Sequence, residues 1–277
     1  MKLFKFCLSF FLVVLFSANA FSQSKEYNEP TYGGIELPGY VSLNASLTYG
    51  SVRGNYIINK FILEGKSNDY MLPELDVEVG IVDRLSLEVI TGYRKIVSNA
   101  SMSMTNINRS IKANKTSDGL NTIMLGANLG IMEEHKSRPG MYFQNQFFLP
   151  KTGYSNFQVD QLGYFGVINM ESTVSDVTYF DYSLGAGWDG NNPYAIYSFN
   201  INPNFNVSDN ITVYADISGI YAKYDPPTNM IDVGTSISFN DNFSIDASIG
   251  NQLQAKNYLK GTFGELKFTY DFNAFGK

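Results

Sequence analysis

Ile211-Thr-Val-Tyr-Ala-Asp-Ile-Ser-Gly219, Ile231-Asp-Val-Gly-Thr-Ser-Ile-Ser-Phe239 and Phe243-Ser-Ile-Asp-Ala-Ser-Ile-Gly250 decide the fold. Apolar residues occupy every second position: Ile211, Val213, Ala215, Ile217; Ile231, Val233, Ile237, Phe239; Phe243, Ile245, Ala247, Ile249. Thr212, Asp216, Ser218, Asp232, Ser236, Ser238, Ser244, Asp246 and Ser248 stand between them. A period of two is a β-strand with one apolar and one polar face. Asn206-Val-Ser-Asp-Asn210 and Asn240-Asp-Asn242 separate the runs. Their short side chains bond the local backbone and tolerate tight dihedrals, so these are turns. Runs of roughly 9–11 residues match a tilted strand crossing a bilayer.

Working outward, the same module recurs. Val79 to Val89 turns at Asp83-Arg84, and Ser172 to Phe180 turns at Ser175-Asp176. Repetition of strand, short Asp-centred turn and strand predicts an up-and-down meander. Alternation predicts about twelve strands between Tyr40 and Phe272. Short turns fall at 82–84, 133–139, 174–176, 206–210 and 240–242. Longer connections fall at 51–69, 96–118, 150–160, 189–193, 223–229 and 254–258, with 55–64 strand-like inside the first. Leu120 to Met132 reads as one strand. An even strand count with long and short connections alternating is the pattern of an all-β, antiparallel transmembrane β-barrel with both termini periplasmic.

Composition agrees. Lys2 and Lys5, the apolar run Phe6–Phe16 and Ala18-Asn19-Ala20 read as a secretory signal over 1–20. Residues 21–38 then form a polar periplasmic lead-in, and 39–277 the barrel. Cys7 lies in the signal, so the mature chain has no thiol or disulfide. It keeps 18 of 20 basic residues and all 26 acidic ones, a net charge of −8. An acidic, exported chain does not suit nucleic acid, which needs a basic face. Outer-membrane lipid is the expected surrounding, and localisation is the bacterial outer membrane.

Catalysis finds little to work with. A serine nucleophile needs a histidine beside it. His135 is the single histidine and sits in the charged turn Glu133-Glu-His-Lys136. One His and no mature Cys leave no ordinary zinc or iron set. Asp225-Pro-Pro227 and Asn240-Asp-Asn242 lack the spacing of a calcium loop. The expectation is no enzyme, no metal and no cofactor.

The informative chemistry is the polar face. With the apolar residues towards lipid, the lumen receives Glu74, Asp76, Glu78, Glu88, Arg94, Glu171, Asp181, Asp216, Asp232, Asp246, Lys267 and Asp271. Turning such a set outward is unfavourable, by roughly 2–4 kcal/mol for a midplane Lys or Arg and less for Asp and Glu. An acidic lumen favours cations and neutral polar solutes over anions. About twelve strands lies between barrels filled by their own side chains and wide porins, so an open pore and a filled barrel both stand.

Gly80-Ile-Val-Asp-Arg-Leu-Ser-Leu-Glu88, Ser117-Asp-Gly-Leu-Asn-Thr-Ile-Met-Leu-Gly126, Phe148-Leu-Pro-Lys-Thr-Gly153 and Phe239-Asn-Asp-Asn-Phe-Ser-Ile-Asp-Ala-Ser-Ile-Gly250 carry a resemblance. The chain resembles, over most of 40–272, the outer-membrane barrels of the phenol meta-pathway degradation family, often simply called transporters. The resemblance implies passage of small aromatic or polar solutes across the outer membrane and brings no functional residues with it. Many such barrels end on an aromatic residue, whereas this chain runs past Phe272 and Phe275 to Gly276-Lys277. The alternatives are a non-conducting structural barrel whose long extracellular loops, above all 96–118, contact a partner, and a soluble periplasmic binder.

Overall fold

The computed structural model describes residues 35–58, 61–104, 107–135, 138–223, 227–253 and 259–274. The expected signal and most of the expected lead-in lie outside the described residues. The alternating runs form β1 (Tyr40–Ile58), β2 (Phe61–Val82), β3 (Leu85–Met104), β4 (Ile107–Leu120), β5 (Met124–Met132) and β6 (Gly140–Phe148). They continue as β7 (Gly163–Ser175), β8 (Thr178–Trp188), β9 (Ile196–Ser208), β10 (Ile211–Ala222), β11 (Thr228–Asn240), β12 (Phe243–Leu253) and β13 (Leu259–Asn273). All pairings are antiparallel, and β1 against β13 closes the sheet. β5 pairs with residues 85–90 of β3, and β4 with residues 93–104 of the same strand. β4 and β5 therefore share one place in the wall, and the barrel has twelve positions. Tyr40 is opposite Asn273, so both ends of the barrel sheet lie at the rim that carries the short turns.

The solvent pattern is inverted relative to a water-soluble protein. Leu87, Val89, Leu129, Leu184, Ile201, Val233 and Ile249 are exposed, whereas Ser86, Glu88, Thr122, Asn128 and Asn204 are buried. Apolar side chains facing out around a polar interior is the arrangement of a membrane barrel, where lipid replaces the core. Aromatic residues border the apolar band. Tyr49 and Tyr70 pack 5.1 Å apart, and Phe147 and Tyr164 5.2 Å apart, at the far rim. Phe239 and Phe243 pack 5.6 Å apart at the short-turn rim. Aromatic rings at both edges mark the two membrane–water interfaces.

Two connections expected as loops are strand. Residues 51–69 continue β1 to Ile58 and begin β2 at Phe61, and residues 96–104 and 107–118 are the ends of β3 and β4. β3 pairs with β4 over about twelve residues, so this ribbon runs ~40 Å along the strand beyond the level where β5 begins. The face continuous with the lipid side turns polar at that height, with Asn99, Ser101, Lys112 and Asn114, while the opposite face carries Ala100, Met102, Ile111 and Ala113. The expected single strand Leu120–Met132 is interrupted: residues 121–123 leave the ladder, and a different partner takes over their bonds.

Candidate functional site

That partner is the connection 149–162 between β6 and β7. The Thr122 hydroxyl donates to the Phe157 carbonyl (2.9 Å) and accepts the Val159 N–H (3.2 Å). The Ile123 N–H reaches the Thr152 hydroxyl (3.0 Å), and the Tyr154 N–H the Leu120 carbonyl (2.8 Å). On its other flank the Asp160 N–H bonds Asn191 Oδ1 (2.9 Å), and the Gln161 N–H the Gly190 carbonyl (3.2 Å). The segment is thus laced to the broken strand on one side and to the β8–β9 connection on the other. It turns Phe157 and Val159 inward, where both are buried. The Arg94 guanidinium lies over the Phe157 ring at 5.7 Å while its Nε donates to Asp69 (3.0 Å). A cation over an aromatic face is attracted by the ring's negative π cloud. The segment folds inward at the rim opposite the short turns.

Below it, the lumen divides in two. On the β1–β6 side, carboxylates are locked by amides and hydroxyls. Glu88, 3% exposed, accepts from Gln144 (3.1 Å) and Gln146 (3.0 Å). Glu78 accepts from Asn128 (2.9 Å) and from the Ser86 hydroxyl. Asp76 accepts from Asn44 (3.3 Å). Gly126 makes room for this cluster, since a Cβ there would lie 2.1 Å from the Glu88 carboxylate. Near the short-turn rim, residues 35–39 fold onto β2. Ile35 is buried and the Gly39 N–H donates to the Gly80 carbonyl (3.0 Å).

The β8–β13 side is open. A cavity of about 600 Å³ is lined by Asp216, Asp232, Asp246, Glu265 and Lys267 with Tyr179, Tyr214 and Phe263 among its walls. Asp216 stands directly opposite Asp232, and Asp246 opposite Lys267. Glu171 likewise faces Asp181, whose carboxylate accepts from Asn204 (2.9 Å). Like charges directly across a sheet destabilise it.

The candidates therefore separate. Asp216, Asp232, Asp246 and Lys267 share the cavity. Asp76, Glu78 and Glu88 belong to the filled half, and Glu74 lies opposite Ser46, one strand from Lys267. Glu171 and Asp181 form their own pair. Arg94 is held by Asp69 beneath the inward segment, with Glu74 near enough to feel its charge. Asp271 sits at the short-turn mouth in a second pocket with Asp209 and Asp241. Sequence reading passed over Glu265, although the alternation Phe263, Glu265, Lys267, Thr269, Asp271 puts it on the lumen face. It also passed over Asp69, Thr122 and Phe157. His135 lies in its turn, exchanging backbone bonds with Arg138. Among the described residues, no three His, Cys, Asp or Glu side chains converge to hold a metal ion.

Comparison with known proteins places this geometry. An outer membrane channel from Pseudomonas putida F1 superposes with a TM-score of 0.60 at 13% identity, covering 90% of this chain and 100% of that one. The transport unit of the autotransporter AIDA-I from Escherichia coli superposes with a TM-score of 0.61 at 12% identity, covering 94% and 97%. At such identities the likeness establishes the fold, that of outer-membrane β-barrels. Comparison with curated proteins by sequence finds no match. The family model described as MetA-pathway of phenol degradation matches residues 82–268, well over half of the chain. The chain is an outer-membrane β-barrel and belongs to the MetA-pathway of phenol degradation family.

Proposed function

We propose that the barrel passes small neutral or cationic solutes, hydroxylated aromatic rings among them, across the outer membrane. The path runs along the β8–β13 side of the lumen, and the segment 149–162 sets its narrowest point. The observation that carries this reading is the cavity of about 600 Å³, in which four carboxylates and one lysine share the wall with aromatic rings. Carboxylate and amide oxygens accept from a solute hydroxyl, ring faces take an aromatic body, and fixed negative charge repels anions. The superposed Pseudomonas putida protein is an outer membrane channel, and the family description names phenol degradation; both accord with this reading. In this reading residues 1–20 are removed on export, the short-turn rim and both termini face the periplasm, and the long hairpins stand outside the cell. In this reading the barrel is a channel and not an enzyme.

Swelling of liposomes carrying the refolded protein tests the reading. Phenol-sized neutral and cationic solutes should enter faster than anionic solutes of equal size. Equal entry, or faster entry of anions, would overturn it.

A further inference from the structure

The lipid-facing side of the β1–β4 ribbon changes character just above its aromatic edge. Tyr49 is opposite Tyr70, and four residues further along, Arg53 is directly opposite Lys66. Lys66 is opposite Asn99, and Asn99 opposite Asn114, so one row crosses all four strands on the same face. Lys112 lines the same shallow groove as Arg53 and Lys66. Glu64 also lines this groove, while Asp118 on the same face is engaged by the Tyr93 hydroxyl (2.5 Å). The arrangement contradicts the rest of the molecule, whose net charge is negative. Two cations directly opposite each other repel, and that juxtaposition is relieved when an anion bridges them.

Height identifies the anion. Tyrosine rings sit at the boundary between hydrocarbon and headgroups. Four residues of strand carry Arg53 and Lys66 ~13 Å further along the tilted wall, which is headgroup depth. We propose that Arg53, Lys66 and Lys112 bind the phosphate groups of glycolipid in the outer leaflet, with Asn99 and Asn114 as neutral hydrogen-bond partners. The proposal rests on the reading that the long hairpins face outside. Lipid clamped there would hold the tall ribbon against the membrane surface and fix the barrel's height.

The test uses the folded full barrel in detergent and purified lipopolysaccharide in native and enzymatically dephosphorylated forms, with binding read by native mass spectrometry. The double variant R53S/K66S should bind native lipopolysaccharide at least about ten-fold more weakly. Dephosphorylated lipid should bind the parent equally weakly. Lys115→Ser removes a charge from the opposite face of the same ribbon and should change nothing. Heat-modifiable migration shows that each variant is folded. Unchanged affinity in R53S/K66S, or equal binding of dephosphorylated lipid, overturns the proposal. Full displacement by millimolar inorganic phosphate would make this a free-anion site and equally overturn it. Binding is read without conductance, so a barrel that bound lipid but carried no current would sink the channel reading alone.

Discussion

Replacing Asp216 and Asp232 by Asn tests the electrostatics of the open half. The two carboxylates face each other across β10 and β11 and line the cavity with Asp246, Glu265 and Lys267. Asn keeps the shape and removes two charges. A unit charge ~10 Å from a permeant ion in water is worth ~0.4 kcal/mol. At ~0.1 M salt the Debye length is ~10 Å, which reduces this to ~0.15 kcal/mol. Two charges act with opposite sign on cation and anion, so the permeability ratio shifts by ~0.6 kcal/mol, about three-fold. The assay is the reversal potential in a planar bilayer under a potassium chloride gradient at pH 8. The parent should prefer cations, and D216N/D232N should lose about three-fold of that preference at ~0.1 M. At ~1 M salt, where the Debye length is ~3 Å, the two should nearly coincide. An anion-preferring parent, or a double variant with unchanged selectivity at low salt, would refute the acidic pathway.

Three further outcomes follow from the same geometry. Thr122→Val removes a hydroxyl that both donates to Phe157 and accepts from Val159, a loss of ~1–3 kcal/mol in a buried site, and current recordings should become noisier as 149–162 loosens. Phe157→Ala takes away the ring beneath Arg94, so conductance should rise while heat-modifiable migration stays that of a folded barrel; an unchanged conductance would place the narrowest point elsewhere. Gly126→Ala drives a methyl into the Glu88 carboxylate and should lower the denaturation midpoint, at a cost of ~1–3 kcal/mol, read by heat or urea titration in detergent.

The strands from Ile211 to Gly250 were legible because lipid on one side and water on the other write an alternation into every pair of residues. That signal fails where the lipid ends. Ser98, Asn99, Ser101, Lys112, Asn114 and Lys115 belong to β3 and β4, yet they read as loop because a strand standing above the membrane needs no apolar face. The break at 121–123 was hidden for the opposite reason: alternation runs through it from Leu120 to Met132. What displaces the ladder is a segment some thirty residues downstream, and Thr122 meets Phe157 only once the barrel has closed. The lumen face of Glu78, Glu88 and Asp216 followed from register. The division into a locked half and an open half did not, because it depends on Gln144 and Gln146 reaching past Gly126 to Glu88. Neutral glutamines give no sign, in sequence, of the carboxylate they will hold.

The most direct test of the account is the single-channel conductance of the refolded mature barrel, recorded with small neutral aromatic and polar solutes as blockers. Discrete current steps, interrupted by neutral hydroxylated rings and not by anions of equal size, are the predicted result. A folded, heat-modifiable barrel that carries no current would contradict it and would make the molecule a closed wall whose long hairpins face an external partner.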